Sequence, residues 1–213
     1  MLTLDVARSW YSATDPVHGF DHICRVYAMA ERLAQAEGAD MEIVRAAALL
    51  HDAEGSQTDG GEEGRLDHHH ASAEFAHHVL ANEGWPEDRI SAVQHCIRAH
   101  RFRHNSEPPQ TLEARILFDA DKLDVIGAVG VVRTVAYDVV VGQPIFAEPS
   151  PRFLETGEKE AHEPHSSYHE FLFKLIKIKD LLHTPSARAI AEDRHRFLVD
   201  FFHRLAAEQR GDL

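Results

Sequence analysis

The sequence is poor in cysteine and lacks long apolar runs. Its 213 residues contain two cysteines, Cys24 and Cys96, which excludes a disulfide scaffold, and we expect both thiols to be reduced. Apolar stretches such as 46–50 fall far short of the roughly 20 residues that a membrane-spanning helix needs. The N-terminal segment also lacks the basic start and hydrophobic block of a secretion signal. We therefore expect a cytoplasmic protein that does not associate with a membrane.

Positive charge is scarce as well. Lysine and arginine total 22 against 35 aspartates and glutamates, which gives a formal net charge of −13. Such a field repels the phosphate backbone of a nucleic acid, so we expect no nucleic-acid polymer as a partner. It also opposes small anionic substrates, and a reaction at a phosphate therefore needs a local positive charge, which a bound metal ion supplies. The 17 histidines are the residues to examine for such a site.

Apolar periodicity predicts an all-α fold, because helical spacing recurs along the chain and no strand alternation is found. The length and an apolar content of 44% fit a single domain over 1–213, with a metal-binding core over about 15–141 and C-terminal helices over about 168–209 packing on it. Four prolines predict an irregular segment over 142–164. The glycine-rich stretch Gly55–Gly61 is predicted to form a polar surface loop. Asp15-Pro16 is predicted to start the first helix, and Gly38 to end it. The predicted helices cover 20–34, 41–52, 67–83, 86–101, 111–141, 168–182 and 186–207.

Histidine and aspartate lie on the predicted inward faces of three of these helices. His22 borders the first apolar stripe, His51 ends the second helix with Asp52 beside it, and Asp121 follows Leu117 by one helical turn. An isolated His-Asp pair is equally consistent with an ordinary helix cap. Four donors on buried faces of separate helices, where unpaired polar groups are costly, instead indicate one divalent metal site. Imidazole with carboxylate suits Mn, Fe, Ni, Co or Zn better than Ca, and the identity of the ion, Mg included, stays open.

The chain resembles the HD-domain metal-dependent phosphohydrolase superfamily in the motifs that carry these donors. They are His22-x2-Arg25-Val26, Leu49-Leu50-His51-Asp52 and Asp119-Ala120-Asp121-Lys122-Leu123-Asp124. The stretches 18–22, 97–102 and 119–130 are similar to a branch of small bacterial HD hydrolases, and the helices of Lys174 and Arg194 extend the resemblance over most of the chain. The resemblance implies a helical bundle in which His22, His51, Asp52 and Asp121 bind the metal, with Asp119 beside them as a supporting residue.

Further histidines lie near these motifs. The resemblance implies that His68, in the pattern His68-x3-Ser72-Ala73, is either a catalytic proton donor or a ligand of a second metal. His100 shares a face with the apolar residues of its helix, so we favour it over His95 as a catalytic residue and give His95 a supporting place. His18 either approaches the site from one turn before His22 or is exposed. Four histidines are expected to face solvent: His69, His70, His77 and His78.

The chemistry that fits is hydrolysis by a metal-activated water, with Glu54 as a candidate base or an ordinary helix-end residue. Lys122, Arg133 and Lys174 are candidates for binding the phosphoryl oxygens of the substrate, and each also has a solvated surface role as an alternative. We expect a phosphohydrolase of a small phosphorylated metabolite, and the preference for a nucleotide comes from the resemblance alone. A di-iron oxygenase and a regulatory module stabilised by its metal are the alternatives, and the oligomeric state is left open.

Overall fold

The computed structural model describes residues 2–11, 19–54, 68–101 and 107–213, and these ranges are helical without a strand. The predicted all-α fold class is thereby confirmed. No described helix combines the length and the apolar character needed to cross a membrane. The predicted helix start at Asp15-Pro16, the Gly55–Gly61 loop and His18 lie outside the described residues. The helices are α1 (Leu4–Ala7), α2 (Phe20–Glu37), α3 (Met41–Leu50), α4 (His68–Asn82), α5 (Glu87–Ala99), α6 (Leu112–Leu123), α7 (Gly127–Val140), α8 (Pro151–Thr156), α9 (Ser167–Phe173) and α10 (Pro185–Arg210), with 3₁₀ turns at Arg8–Trp10 and Leu175–Leu181.

The chain groups into two compact units. The first comprises Met1–Asp121 and His183–Ala187, and the second comprises Lys122–Leu182 and Arg188–Leu213. In the first unit α3 packs against α2, α4 and α5, and α4 packs against α5. In the second unit α9 packs on α7 and on the 3₁₀ turn that follows it. The single-domain organisation expected from the length stays a prediction.

The helix ends in the first unit follow from local capping. α2 ends at Gly38, which adopts φ +76°, as its predicted role of stop signal requires. α3 begins after Asp40, whose carboxylate accepts hydrogen bonds from the N–H groups of Glu42 and Ile43. The two helices therefore leave the short turn at residues 38–40 as antiparallel neighbours, with His22 at the far end of one and His51 at the far end of the other.

The single helix predicted over 111–141 is wrong, because the chain breaks between α6 and α7. Ile126 is extended and Gly127 adopts φ +75°. The guanidinium of Arg194 donates a hydrogen bond to the Leu123 carbonyl, so that carbonyl at the end of α6 has a partner outside the helix. Uninterrupted apolar periodicity concealed the break, since a glycine inside a helical pattern does not by itself announce a positive φ.

The prediction that the segment 142–164 is irregular is wrong in part, because α8 forms within it. Ser150 caps the helix by accepting from the Phe153 N–H, Pro151 occupies its first position, and Gly157 ends it at φ +76°. These are ordinary start and stop signals that the count of prolines obscured. The helix predicted over 168–182 is likewise interrupted, since Lys174 adopts φ −122° and ψ −58° between α9 and the 3₁₀ turn.

The N-terminal segment packs into the first unit through a small apolar cluster. Its buried members come from the segment itself, from the first turn of α2 and from the end of α3, and they are Ala7, Tyr11, Ile23, Leu49 and Ala53. Trp10 lies edge-on to Phe75 of α4, with ring centroids 5.5 Å apart. The cluster therefore joins the N-terminus to the end of α3, where His51 and Asp52 are found.

Candidate metal centre

The four predicted ligands lie close together in the first unit. Nε2 of His22 is 3.8 Å from Oδ2 of Asp52 and 3.5 Å from Oδ1 of Asp121. Nε2 of His51 is 3.5 Å from Oδ2 of Asp52. The imidazoles of His22 and His51 are buried, and the carboxylate of Asp52 is partly accessible. Side chains from α2, α6 and the end of α3 thus converge on one point.

His51 is oriented by its own helix. It occupies the position after α3, and its Nδ1 lies 2.9 Å from the Ala48 carbonyl. A carbonyl oxygen only accepts, so this hydrogen bond places a proton on Nδ1 and leaves Nε2 with a lone pair in the neutral ring. Nε2 of His51 is buried and makes no hydrogen bond. A buried nitrogen with a free lone pair, aimed at carboxylates, is the arrangement of a metal ligand.

A second group of donors shares Asp52 with the first. Oδ1 of Asp52 lies 3.3 Å from Nε2 of His68 and 3.5 Å from Nε2 of His100. This oxygen is buried and has no hydrogen bond of normal geometry. Across the described part of the chain, two trios have donor atoms that all lie within 4.8 Å of one another, and they are His22-His51-Asp52 and Asp52-His68-His100.

The spacing of these donors fits a metal ion better than a set of direct hydrogen bonds. Donors held about 2.1 Å from one ion are about 3.0 Å apart in octahedral and about 3.4 Å apart in tetrahedral geometry. The separations between imidazole nitrogen and carboxylate oxygen run from 3.3 to 3.8 Å. The residues present therefore suit a divalent cation held by imidazole nitrogen and carboxylate oxygen.

The electrostatics of the centre keep its donors ready to bind a cation. Burial lowers the pKa of His51 to about 4, against the opposing effect of Asp52, so the ring is neutral near neutral pH. Burial alone would raise the pKa of Asp52, but the electrostatic interaction with the adjacent His51 and contacts with His100 and His68 hold it well below the ordinary value. Neutral imidazole and ionised carboxylate are the protonation states that metal binding requires.

His95 and Asp119, both predicted to support the metal site, have hydrogen-bond partners within the first unit. His95 contacts Glu107 Oε1 through Nδ1 at 2.6 Å and accepts at Nε2 from the Gln110 N–H. Asp119 accepts three hydrogen bonds, from the N–H groups of His183 and Thr184 and from the Thr184 hydroxyl. Thr184 in turn accepts from the Ala187 N–H in the first turn of α10. Asp119 thus anchors the start of α10 on α6.

The remaining candidates are tied to near neighbours. Glu54 uses its backbone N–H to donate to the Ser72 hydroxyl. In the second unit, Arg133 forms an ion pair with Asp124 at 2.7 Å, and Lys174 one with Glu170 at 2.7 Å. Lys122, next after Asp121, is half-buried near the end of α6. The catalytic role of Glu54 and the substrate-binding roles of Lys122, Arg133 and Lys174 stay predictions.

His69 departs from our expectation that it faces solvent. It is only 5% exposed, and burial, reinforced by the charges of His70 and His68, lowers its pKa to about 4. The helical periodicity of α4 is weak because three histidines open it in succession, and a histidine scores as polar on either face. His70 is exposed as expected.

Tyr11 is a residue near the centre that the sequence did not single out. Its hydroxyl donates to the Leu49 carbonyl at 2.8 Å, two residues before His51. The helix that precedes it has four residues, too few for any periodicity to assign a buried face. The signal available in the sequence was only the pair of aromatic residues at positions 10 and 11.

The comparison with protein families identifies the fold that carries this centre. The HD domain matches residues 19–126, which include both donor trios and Asp121. The chain belongs to the HD-domain family. HD domains bind divalent metals, in agreement with a cluster of histidine and aspartate side chains positioned for one.

Relatives of this HD-domain chain extend the likeness over nearly its whole length. It is 29% identical over 211 residues to the uncharacterized protein YpgQ of Bacillus subtilis (strain 168), covering 96% of this chain and 92% of that protein. The crystal structure of Bacillus subtilis YpgQ in complex with ADP matches with a TM-score of 0.72 and 28% identity, covering 97% of each chain. An HD-superfamily hydrolase from Bacillus thuringiensis matches with a TM-score of 0.71 and 27% identity, covering 97% of this chain and 94% of that one.

Proposed function

We propose that this HD-domain protein is a divalent-metal-dependent phosphohydrolase that acts on a nucleotide or a related small phosphorylated metabolite. The observation that carries the proposal is Asp52, whose two carboxylate oxygens face two different pairs of histidines at 3.3 to 3.8 Å. The ADP bound to YpgQ supports a nucleotide as the substrate class, and the likeness to the HD-superfamily hydrolase from Bacillus thuringiensis supports hydrolysis.

In this proposal His22, His51, Asp52 and Asp121 hold one divalent cation. Such an ion would lower the pKa of a water to about 7 and polarise a phosphoryl oxygen, so it would supply both the nucleophile and part of the charge stabilisation. Asp52 and Asp121 contribute two negative charges, which a divalent cation balances in a chain that otherwise repels anions.

His68 and His100 then act on protons at Nε2. The Ile97 carbonyl holds Nδ1 of His100 at 2.5 Å, so Nε2 of His100 faces Asp52 with a lone pair available when the ring is neutral. His68 is partly exposed at the start of α4, with its Nε2 also on Asp52. We assign His68 the role of proton donor to the leaving oxygen, because it is the more accessible of the two histidines. His100 then has the role of a supporting proton acceptor.

The same donors support a second candidate, in which Asp52, His68 and His100 hold a second ion. The trio Asp52-His68-His100 is the observation that favours it, since its donor spacing resembles that of the first trio. Two irons and consumption of O2 would make the protein a di-iron oxygenase. A chain that binds metal and cleaves no phosphoester would be a regulatory module.

The test is a substrate screen with metal counting. The purified protein is loaded separately with Mn²⁺, Fe²⁺, Co²⁺, Ni²⁺, Zn²⁺ and Mg²⁺ and mixed with nucleoside mono-, di- and triphosphates, and both phosphate and pyrophosphate are read. We expect cleavage that disappears with Asp121→Ala, along with most of the bound metal, and that persists with the exposed control Asp88→Ala. Full metal and activity in Asp121→Ala would remove the site assignment, and O2 uptake without phosphate release would favour the oxygenase.

A further inference from the structure

The end of α3 is secured by three different partners. After Leu50 the carbonyls of the last helical turn have no partner within the helix. The Ala48 carbonyl accepts from Nδ1 of His51, and the Leu50 carbonyl accepts from the Ala53 N–H. The Leu49 carbonyl between them accepts from the hydroxyl of Tyr11. Of these three partners, Tyr11 alone comes from a distant part of the chain.

This hydrogen bond lies next to the donors of the proposed metal centre. Leu49 precedes His51 by two residues and Asp52 by three. The final turn of a helix frays readily, and a shift there changes the direction in which the following side chains leave the backbone. Holding the Leu49 carbonyl therefore fixes the backbone from which the side chains of His51 and Asp52 extend. It thereby helps to set the 3.5 Å separation between Nε2 of His51 and Oδ2 of Asp52.

Tyr11 is itself held rigidly. The residue is 7% exposed in a cluster with Ala7, Ile23 and Ala53, and its ring centroid lies 5.8 Å from that of Phe20. Burial, with a further contribution from the charge of Asp52, raises the pKa of Tyr11 well above its usual value. The ring and the hydroxyl of Tyr11 are therefore both held in place.

We propose that Tyr11 is a positioning residue of the metal centre, whose hydroxyl holds the last turn of α3 so that His51 and Asp52 bind one ion together. The proposal rests on the proposed function in that it takes these two residues as ligands. The effect of Tyr11 passes through the backbone, at the Leu49 carbonyl and at Asp52. Removing a partner that orients the ligands of a metal costs about tenfold in metal affinity or activity.

The experiment compares Tyr11→Phe with Tyr27→Phe. Tyr27 packs against the same cluster, but its hydroxyl forms a hydrogen bond with Glu31 on α2, and its electrostatic contact on α3 is with Arg45, before the last turn of that helix. Co²⁺ alone is the probe, because its visible absorption reports the geometry of its ligands. We expect Tyr11→Phe to bind Co²⁺ about tenfold more weakly and with a shifted visible spectrum. With a cleaved substrate, kcat should fall while KM changes little. Tyr27→Phe should match the wild type in all of these.

A second variant separates positioning from loss of stability. Replacing Tyr11 with para-aminophenylalanine keeps a donor at the same place on the ring, and it should restore the Co²⁺ affinity and spectrum. Wild-type affinity and spectrum in Tyr11→Phe would overturn the positioning role and leave the proposed function standing. Equal weakening by Tyr27→Phe, or no rescue by the amino group, would also overturn it. Failure of the wild type to bind Co²⁺ would overturn the proposed function itself, together with this inference.

Discussion

His51 and His100 end their helices in the same way and face each other across Asp52. In each, Nδ1 contacts the carbonyl three residues earlier, Ala48 for His51 and Ile97 for His100. The two rings lie edge to face with centroids 5.1 Å apart, and each Nε2 is 3.5 Å from a different oxygen of the same carboxylate. The backbone thus sets the tautomer of both rings, and both present a nitrogen lone pair inward without help from any other side chain.

Substitution of His68 and His100 can test whether these residues transfer protons or bind a second ion. We expect His68→Gln and His100→Gln to keep the first metal and to lower kcat by about 10² to 10⁴, the usual contribution of a general acid or base. The control is His78→Gln, since the side chain of His78 is 69% exposed. Metal per chain is measured by elemental analysis alongside the rates. A fall from two ions to one in either variant would contradict the proton-transfer role.

Asp119 should matter for folding more than for metal. Its carboxylate is fully buried and satisfies three donors from His183 and Thr184 at the start of α10. Asp119→Ala leaves those donors, two of them fully buried, without their partner, and we expect a loss of about 2 to 4 kcal/mol in the free energy of unfolding. Urea denaturation of the metal-free protein measures it. Asp88→Ala, which removes an exposed carboxylate, should cost less than about 0.5 kcal/mol. Equal midpoints for the two variants would contradict the anchoring role.

Most helices of the first unit could be predicted from the sequence, because they have regular apolar stripes and clear stop signals. Gly38 ends α2 as predicted, and His22, His51 and Asp121 lie on inward faces as their spacing from apolar residues indicated. The proximity of His68 and His100 to one carboxylate oxygen could not be read in this way. Periodicity tells which face of a helix a residue occupies, but not which residues of two different helices meet.

The failures occurred where tertiary contacts override periodicity. Arg194 caps the carbonyl of Leu123 and helps end α6, although that arginine is 71 residues away in sequence. His69 is buried because of how α4 packs, and nothing in a run of three histidines distinguishes the inward one. Tyr11 acts through a carbonyl, a group that every residue carries and that no sequence pattern marks.

The break between α6 and α7 can be tested at Gly127. This residue adopts φ +75°, and a Cβ added there would lie 3.0 Å from Cβ and Cγ of Arg194. Gly127→Ala therefore combines a disfavoured backbone conformation with crowding of the arginine that caps α6. Gly84→Ala is the matched control, because Gly84 has φ +76° and nothing within 4 Å of its Cβ position.

We expect each substitution to lower the free energy of unfolding by about 1 kcal/mol, because alanine disfavours a positive φ. Gly127→Ala should lower it by about 1 kcal/mol more, because of crowding against Arg194. Chemical denaturation of both variants gives the difference. If the two glycines proved equally tolerant, Arg194 would have to move aside freely, and its hydrogen bond to Leu123 would not determine where α6 ends.

The second unit contains a partly buried carboxylate, Glu163, that should make its stability sensitive to acid. Glu163 accepts from the Ser150 N–H and hydroxyl, from the Glu160 N–H and from Nε2 of His169, whose Nδ1 contacts the Ser166 hydroxyl. Burial would raise the pKa of Glu163, but these hydrogen bonds, led by those from Ser150, lower it from 4.5 to about 2. The network links the caps of α8 and α9, because Ser150 and Ser166 are their N-cap residues.

The sign of the pH effect follows from this lowered pKa. Between about pH 4.5 and 2 the unfolded chain binds a proton at Glu163 that the folded chain does not. The stabilisation is therefore complete above about pH 4.5 and is lost as the pH falls toward 2. Glu163→Gln should lower the Tm at pH 7 and flatten the decrease in Tm between pH 5 and 3. Glu155→Gln, at an exposed position on α8, should leave both unchanged. An acid transition as steep in Glu163→Gln as in the wild type would show that other carboxylates carry the acid sensitivity.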